Sequence, residues 1–256
     1  MTQAEIKWIK SLATKKRRDE EGVFVVEGEK MTDELRQSGF TVRRLVATHP
    51  LPYTIPQLTP EYVDEKTMQR ISLLKTPTPV LAVVEKPVGL RWPAFERDEL
   101  IIALDQVQDP GNAGTIIRTA DWFGVRHVVC SPGTVDCYSP KVVQATMGAI
   151  FRVHIYTAVL PAFLRQAKSH TTVYGAFLHG ENLYRRPLTA GGVVVIGNEG
   201  RGISPDVAAE IATRLCIPAF PGDGGGSESL NAAVSAAIVC AEFRRRAKYP
   251  VTMFNK

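Results

Sequence analysis

The chain lacks several features that would each have set its class. No apolar run approaches the roughly 20 residues that span a bilayer, and the N-terminal stretch has no apolar signal core. A cytoplasmic location is therefore expected, with no membrane partner. Cysteine is scarce: four occur, at 130, 137, 216 and 240, with no C-x-x-C pair, and the five histidines have no ligand-like spacing to them. A disulfide framework or a structural zinc is not expected, and no metal is assigned. The G-x-G-x-x-G fingerprint of dinucleotide enzymes is missing, as is the Gly-Lys-Ser/Thr ending of a P-loop. There is no internal repeat, and the only low-complexity tract is a glycine cluster at 222–226.

What is present is ordinary in bulk and specific in detail. The 256 residues, 45% hydrophobic and 22% charged, suffice for one large or two small domains with buried cores. A net charge of +5 and a pI near 9.0 permit an anionic partner. Basic residues number 14 against 12 acidic up to Pro87 and 17 against 14 after it, so neither part is a basic tail. Two clusters carry the local excess, Lys15-Lys16-Arg17-Arg18 and Arg244-Arg245-Arg246; a solvated face is the plainer reading of each.

Taken in order, Ile6, Ile9 and Leu12 recur at helical spacing, with Trp8 off that stripe. After the first basic cluster come a strand at 23–27, a helix around 31–37, a strand at 42–47, a helix around 62–74 and a strand at 80–85, which together read as a small α/β unit. Pro87, Gly89 and Pro93 mark a linker ending at Arg97. Beyond it the apolar runs 100–104, 125–130 and 193–197 read as strands buried on both faces. Helical stretches are expected at 113–123, 140–147, 160–168 and 205–212. This alternation predicts an α/β fold with a mainly parallel sheet covered by helices.

Three stretches carry chemistry. The first, Asp105 to Arg118, leaves a buried strand, turns at Asp109-Pro110-Gly111 and enters a helix with Asn112 as expected N-cap and Arg118 in its second turn. The second, Gly197-Asn198-Glu199-Gly200-Arg201-Gly202, leads from a strand to a helix with Ser204 as cap and Pro205 at its first position. The third, Ile217 to Asn231, passes through the glycine cluster into an alanine-rich helix expected to begin near Ser229. Glycines admit a ligand close to the backbone, and a helix start offers unpaired N–H groups. Each stretch alone is compatible with a simple turn. Their joint order is not so easily explained.

In that order the three stretches resemble the motif set of the SpoU (TrmH) family of RNA ribose 2′-O-methyltransferases, over roughly the last three-fifths of the chain. The resemblance implies a SPOUT fold with a C-terminal trefoil knot, S-adenosyl-L-methionine as cofactor and a homodimer formed through the catalytic domain. The first 87 residues look like the L30e-like substrate-binding domain often fused to such catalytic domains, giving residues 1–87, a linker at 88–97 and a catalytic domain at 98–256. The family's catalytic positions fall on Asn112, Arg118, Glu199, Ser229 and Asn231. Its cofactor-binding positions fall on Gly197, Asn198, Gly200, Ile217, Pro218, Ser229 and Leu230. Lys15, Lys16, Arg17 and Arg18, with Arg118, become RNA contacts. The family view makes Arg118 the group that activates the 2′-hydroxyl, but a guanidinium keeps its protons in a protein. We read Arg118 as binding the target phosphate and stabilising the developing alkoxide. Ribosomal RNA, of the 23S type, is the expected substrate; tRNA and a non-catalytic RNA-binding role on the same fold are the alternatives. The Gly222–Ser227 stretch, with four glycines in six residues, is expected to be mobile until ligand orders it.

Overall fold

A computed structural model describes residues 1–55, 58–220 and 228–247. In chain order its first elements are α1 (Gln3–Ser11), α2 (Lys15–Glu21), β1 (Val23–Glu27), α3 (Glu29–Arg36), β2 (Val42–Ala47), β3 (Glu61–Tyr62), α4 (Glu65–Ile71) and β4 (Val80–Glu85). There follow β5 (Leu100–Leu104), α5 (Pro110–Trp122), β6 (His127–Cys130), α6 (Pro140–Thr146), a 3₁₀ turn at Ala149–Phe151 and β7 (His154–Thr157). The last are α7 (Leu160–Lys168), β8 (Val173–Asn182), β9 (Gly192–Ile196), α8 (Pro205–Ala208), β10 (Thr213–Cys216) and α9 (Ala232–Arg246). No helix among the described residues is long and apolar enough to cross a membrane.

The chain divides into two compact units. The first comprises Met1–Leu90 together with Asp136–Arg152, the second Arg91–Val135 with the chain from Val153 onward. In the first unit the sheet runs β1-β4-β2-β3, antiparallel except for the β2–β3 pair. Strand side chains alternate between faces, so Val23 and Val25 pack with Ile6, Ile9 and Leu12 of the α1 stripe and with Met68 and Ile71 of α4. Phe24 points the other way, against Phe40 at 6.0 Å and Tyr138 at 5.0 Å between ring centroids. Tyr138 belongs to the Asp136–Arg152 excursion, whose helix α6 packs on β1 and whose Phe151 meets Phe40.

The basic cluster requires a correction. Arg18 is 2% exposed, and its guanidinium donates to the Leu12 and Ala13 carbonyls at 2.7 and 2.8 Å and to the Asp136 carboxylate. It is a core cation and not a phosphate contact, because α2 turns it inward beneath the end of α1. Lys15, Lys16 and Arg17 stay at the surface, each facing a carboxylate of the same helix: Asp19 at 2.5 Å, Glu20 at 3.9 Å, and both Glu20 and Glu21 at 2.8 and 3.0 Å.

The second unit holds one six-stranded sheet in the order β10-β8-β9-β5-β6-β7, parallel throughout. Its central strands β5 and β9 are buried at every residue, as expected of continuous apolar runs covered on both faces. Because all strands point one way, the segments leaving β5, β9 and β10 emerge at one edge, where parallel α/β sheets bind ligands. Helices α5 and α9 pack against each other.

Candidate active site

Local capping chemistry decides how each segment presents its side chains. Helix α5 starts at Pro110, earlier than periodicity suggests, because Asp109 is the cap: its side chain accepts from the Asn112 N–H at 2.8 Å and its carbonyl from the Ala113 N–H at 3.0 Å. Asn112 is therefore not the N-cap. Its amide, released from capping, donates from Nδ2 to Glu199 at 3.0 Å and accepts at Oδ1 from Asn231 Nδ2 at 2.8 Å. Asn231 in turn caps α9, its Oδ1 accepting from the Ala233 and Val234 N–H groups at 2.8 and 3.2 Å. That helix starts at Ala232 and not near Ser229.

Glu199 closes this chain of contacts. Its carboxylate also accepts from the backbone N–H of Gln108 at 3.2 Å and of Asp109 at 3.1 Å. Partial burial pushes its carboxyl up in pKa, but the Asn112 amide and the backbone donors outweigh that and hold it below the ordinary value. With three donors on an ionised carboxylate, Glu199 serves to hold the loop after β5 against the loop after β9. The directions of both asparagine amides follow from their partners: oxygen toward N–H groups, nitrogen toward oxygen.

The loop after β9 is tied together by its own hydrogen bonds. Asn198 and Gly202 exchange two backbone hydrogen bonds of 2.9 Å, and Asn198 Oδ1 accepts from the Gly200 and Arg201 N–H groups at 3.0 Å each. A side chain at Gly197 would lie 2.3 Å from the Gly202 carbonyl carbon, so this glycine is demanded by the close approach of the two limbs. Gln106, unremarked in the sequence, is the hub on the β5 side. Its φ of +55° is rare for a residue with a side chain, its carbonyl accepts from Asn198 Nδ2 at 2.7 Å, and its side-chain oxygen accepts from Arg201 at 3.1 Å. Buried Asp105 adds a further tie, accepting from the Ser204 N–H at 2.7 Å. An acid ending a buried strand was the available signal for Asp105; no sequence signal marks Gln106.

Arg118 lies on α5 in its third turn, exposed, and its side chain makes no hydrogen bond or ion pair with another described residue. Ile217 is half-buried, and Pro218, Ser229 and Leu230 are exposed. The backbone groups of Ile217 and Leu230 are unpaired among the described residues, so they remain available to a ligand on either side of the glycine-rich stretch. Residues 222–227, where ligand-dependent ordering is expected, lie outside the described residues.

Residues 99–241 match the SpoU rRNA Methylase family, and residues 3–82 match the MRM3-like substrate binding domain. The chain belongs to the SpoU rRNA methylase family. A SpoU relative from Bacillus subtilis, a 23S rRNA (guanosine(2553)-2'-O)-methyltransferase, is 30% identical over 245 residues, covering 94% of this chain and 96% of its own length. A solved TrmH-family protein from Porphyromonas gingivalis is 43% identical with a TM-score of 0.85, over 96% of this chain and 99% of that one. The AdoMet-bound rRNA methyltransferase of Sinorhizobium meliloti is 30% identical with a TM-score of 0.80, over 96% of this chain and 95% of that one. The SpoU match spans all the motif residues joined above, from Asn112 through Glu199 to Asn231.

Proposed function

We propose that this SpoU protein transfers a methyl group from S-adenosyl-L-methionine to the 2′-oxygen of a ribose in large-subunit ribosomal RNA. The observation that carries the reading is the hydrogen-bonded chain Glu199–Asn112–Asn231, which ties the three motif stretches together at one edge of the parallel sheet. The printed activity of the Bacillus subtilis relative favours a 23S rRNA ribose, and the match over residues 3–82 supports the first unit as the RNA-binding part.

The residues present fit the cofactor. Backbone donors and acceptors at Ile217 and Leu230, unpaired among the described residues, suit the hydrogen-bonding edge of an adenosyl group, with Gly197, Asn198, Gly200 and Pro218 completing the same edge of the sheet. When bound, S-adenosyl-L-methionine supplies an electrophilic methyl on a cationic sulfur. The protein's part is positioning and charge. Arg118, exposed and with its side chain unpaired among the described residues, would grip the phosphate of the target nucleotide and stabilise negative charge growing on the 2′-oxygen. Asn112, Glu199 and Asn231 hold the loops around it in register, and Ser229 offers a hydroxyl with no partner among the described residues. Lys15, Lys16 and Arg17 contribute phosphate contacts from the first unit, their surface ion pairs being weak enough to exchange.

A homodimer, a cytoplasmic location and a knotted C-terminal segment belong to the same proposal. Trp122 on α5, 84% exposed, and half-exposed Val234 on α9 are each apolar side chains open to a second copy. The test is to incubate the full chain with methyl-labelled cofactor and, separately, 23S-type rRNA and tRNA, then map ribose methylation. Label on a ribose 2′-oxygen of the rRNA is expected. Label confined to tRNA, or none on either RNA from a chain that binds the cofactor, overturns the reading.

A further inference from the structure

The linker candidate carries contacts that lie apart from the motif loops. From Arg91 onward it is part of the second unit, following directly on Leu90, the last residue of the first unit's leading segment. It is held there by Tyr156 of β7, whose hydroxyl donates to the Arg91 carbonyl at 2.7 Å and whose ring stacks on Trp92 at 4.9 Å between centroids. The same Tyr156 oxygen lies 2.9 Å from His127 Nδ1, and His127 Nε2 lies 3.1 Å from Glu99 Oε1. Glu99 and His127 sit at the starts of β5 and β6, the edge of the sheet opposite to the motif loops, and the Tyr156 hydroxyl meets His127 from the third position of β7.

Counting hydrogens shows what this arrangement requires. A phenol has one hydrogen and a carbonyl can only accept, so while Tyr156 donates to Arg91, His127 Nδ1 must donate to the Tyr156 oxygen. Nε2 then needs a hydrogen of its own to meet the Glu99 carboxylate. Every contact is satisfied only when both ring nitrogens are protonated. In the neutral ring, a hydrogen on Nε2 leaves Nδ1 bare and competing with Arg91 for the phenolic hydrogen. A hydrogen on Nδ1 instead turns the Nε2 lone pair toward the carboxylate.

We propose that Glu99, His127 and Tyr156 form a proton-sensitive clasp on the strap Arg91–Arg97, tightened when His127 gains a proton and loosened when it loses one. Burial pushes the His127 imidazole below its ordinary pKa; Glu99 opposes this, while His154, edge-on at 5.4 Å, and Arg126 reinforce it. Burial and Glu99 push Tyr156 up to about 12, so the phenol keeps its hydrogen throughout. The clasp therefore changes state on the acid side of about 6.5, the ordinary imidazole value. It does not depend on the chain's being a methyltransferase.

Trp92 reports the state of the strap. Subtracting the emission of Trp92→Phe from that of the full wild-type chain isolates its signal from Trp8 and Trp122. Between about pH 5 and 8 this difference should show a one-proton transition with its midpoint below about 6.5, the rotational freedom of Trp92 falling on the acid side. His127→Gln and Tyr156→Phe should each abolish it. Glu99→Gln, the mildest of the changes, should keep the transition and move its midpoint lower, since Glu99 is the one group favouring the charged ring. A wild-type signal flat over this range overturns the proposal. So does a transition that survives in His127→Gln, or a midpoint that Glu99→Gln leaves in place.

Discussion

Helices α2 and α5 carry cations in opposite ways. In seven residues α2 has four, and each faces a partner: Arg18 is buried against two carbonyls and Asp136, while Lys15, Lys16 and Arg17 face Asp19, Glu20 and Glu21 within the same helix. In thirteen residues α5 has one, Arg118, exposed and unpaired among the described residues. The basic cluster is the more conspicuous in the sequence, yet the lone arginine is the freer to take a phosphate. A cation's availability depends on the carboxylates within one helical turn and on the direction in which the helix turns it, and neither follows from counting charge.

Removing the buried cation of α2 should have the largest effect. Arg18→Ala strips Asp136 of its partner and leaves two carbonyls without a donor, so denaturant unfolding should show a loss of about 3–5 kcal/mol. A loss within about 0.5 kcal/mol, as for an ordinary surface change, would put Arg18 back on the surface. On the other helix the effect should fall on rate and not on stability. Arg118→Ala should lower methyl transfer about 10²–10³-fold with cofactor affinity nearly unchanged, and Arg118→Lys should not restore it, lacking the planar fork. Equal losses of affinity and rate in both variants would place Arg118 on the cofactor side.

The hydrogen bonds that hold α5 in place give smaller effects. Asn112→Ala and Asn231→Ala should be non-additive, with a coupling of about 0.5–3 kcal/mol in a double-mutant cycle, because each removes the same hydrogen bond. Additive losses would mean that the two amides act independently. Glu199 adds a pH dependence of known sign. Its folded carboxyl is held below the ordinary value, so its stabilisation is present above the unfolded pKa of about 4.3 and is lost as pH falls through the folded value. The stability gap between wild type and Glu199→Gln should therefore narrow on acidification; a gap that widens would contradict the donor arrangement. The smallest effect is expected at the exposed cations of α2. Replacing Lys15, Lys16 and Arg17 with Ala should flatten the salt dependence of RNA binding by up to about 0.7–0.9 in log–log slope for each phosphate no longer neutralised. An unchanged slope would leave α2 as a self-neutralised helix.

Much of the architecture was legible because burial imposes a period. The stripe Ile6, Ile9, Leu12 is buried as its spacing requires, and the apolar runs at 42–47, 80–85 and 100–104 coincide with β2, β4 and β5. Helix starts were less legible, since several residues near each could serve as cap. Asp109 caps α5 where Asn112 was expected, and Asn231 caps α9 two residues beyond Ser229. The difference matters chemically: with Asp109 as the cap, both ends of the Asn112 amide are turned to joining Glu199 to Asn231.

The α/β alternation, the parallel character of the second sheet, the three motif stretches and the family to which they belong are legible in the chain alone, because each is written in local spacing or in residue order. Which polar groups are already satisfied depends on the folded structure. It paired off the four cations of α2, enlisted Gln106 at positive φ, gave Gly197 a steric reason and brought Asp136, 118 positions away, onto Arg18. Hydrogen-bond partners are chosen by proximity in space, and the capacity of each donor and acceptor is small and fixed, so a single bond made far along the chain decides what a residue has left to offer.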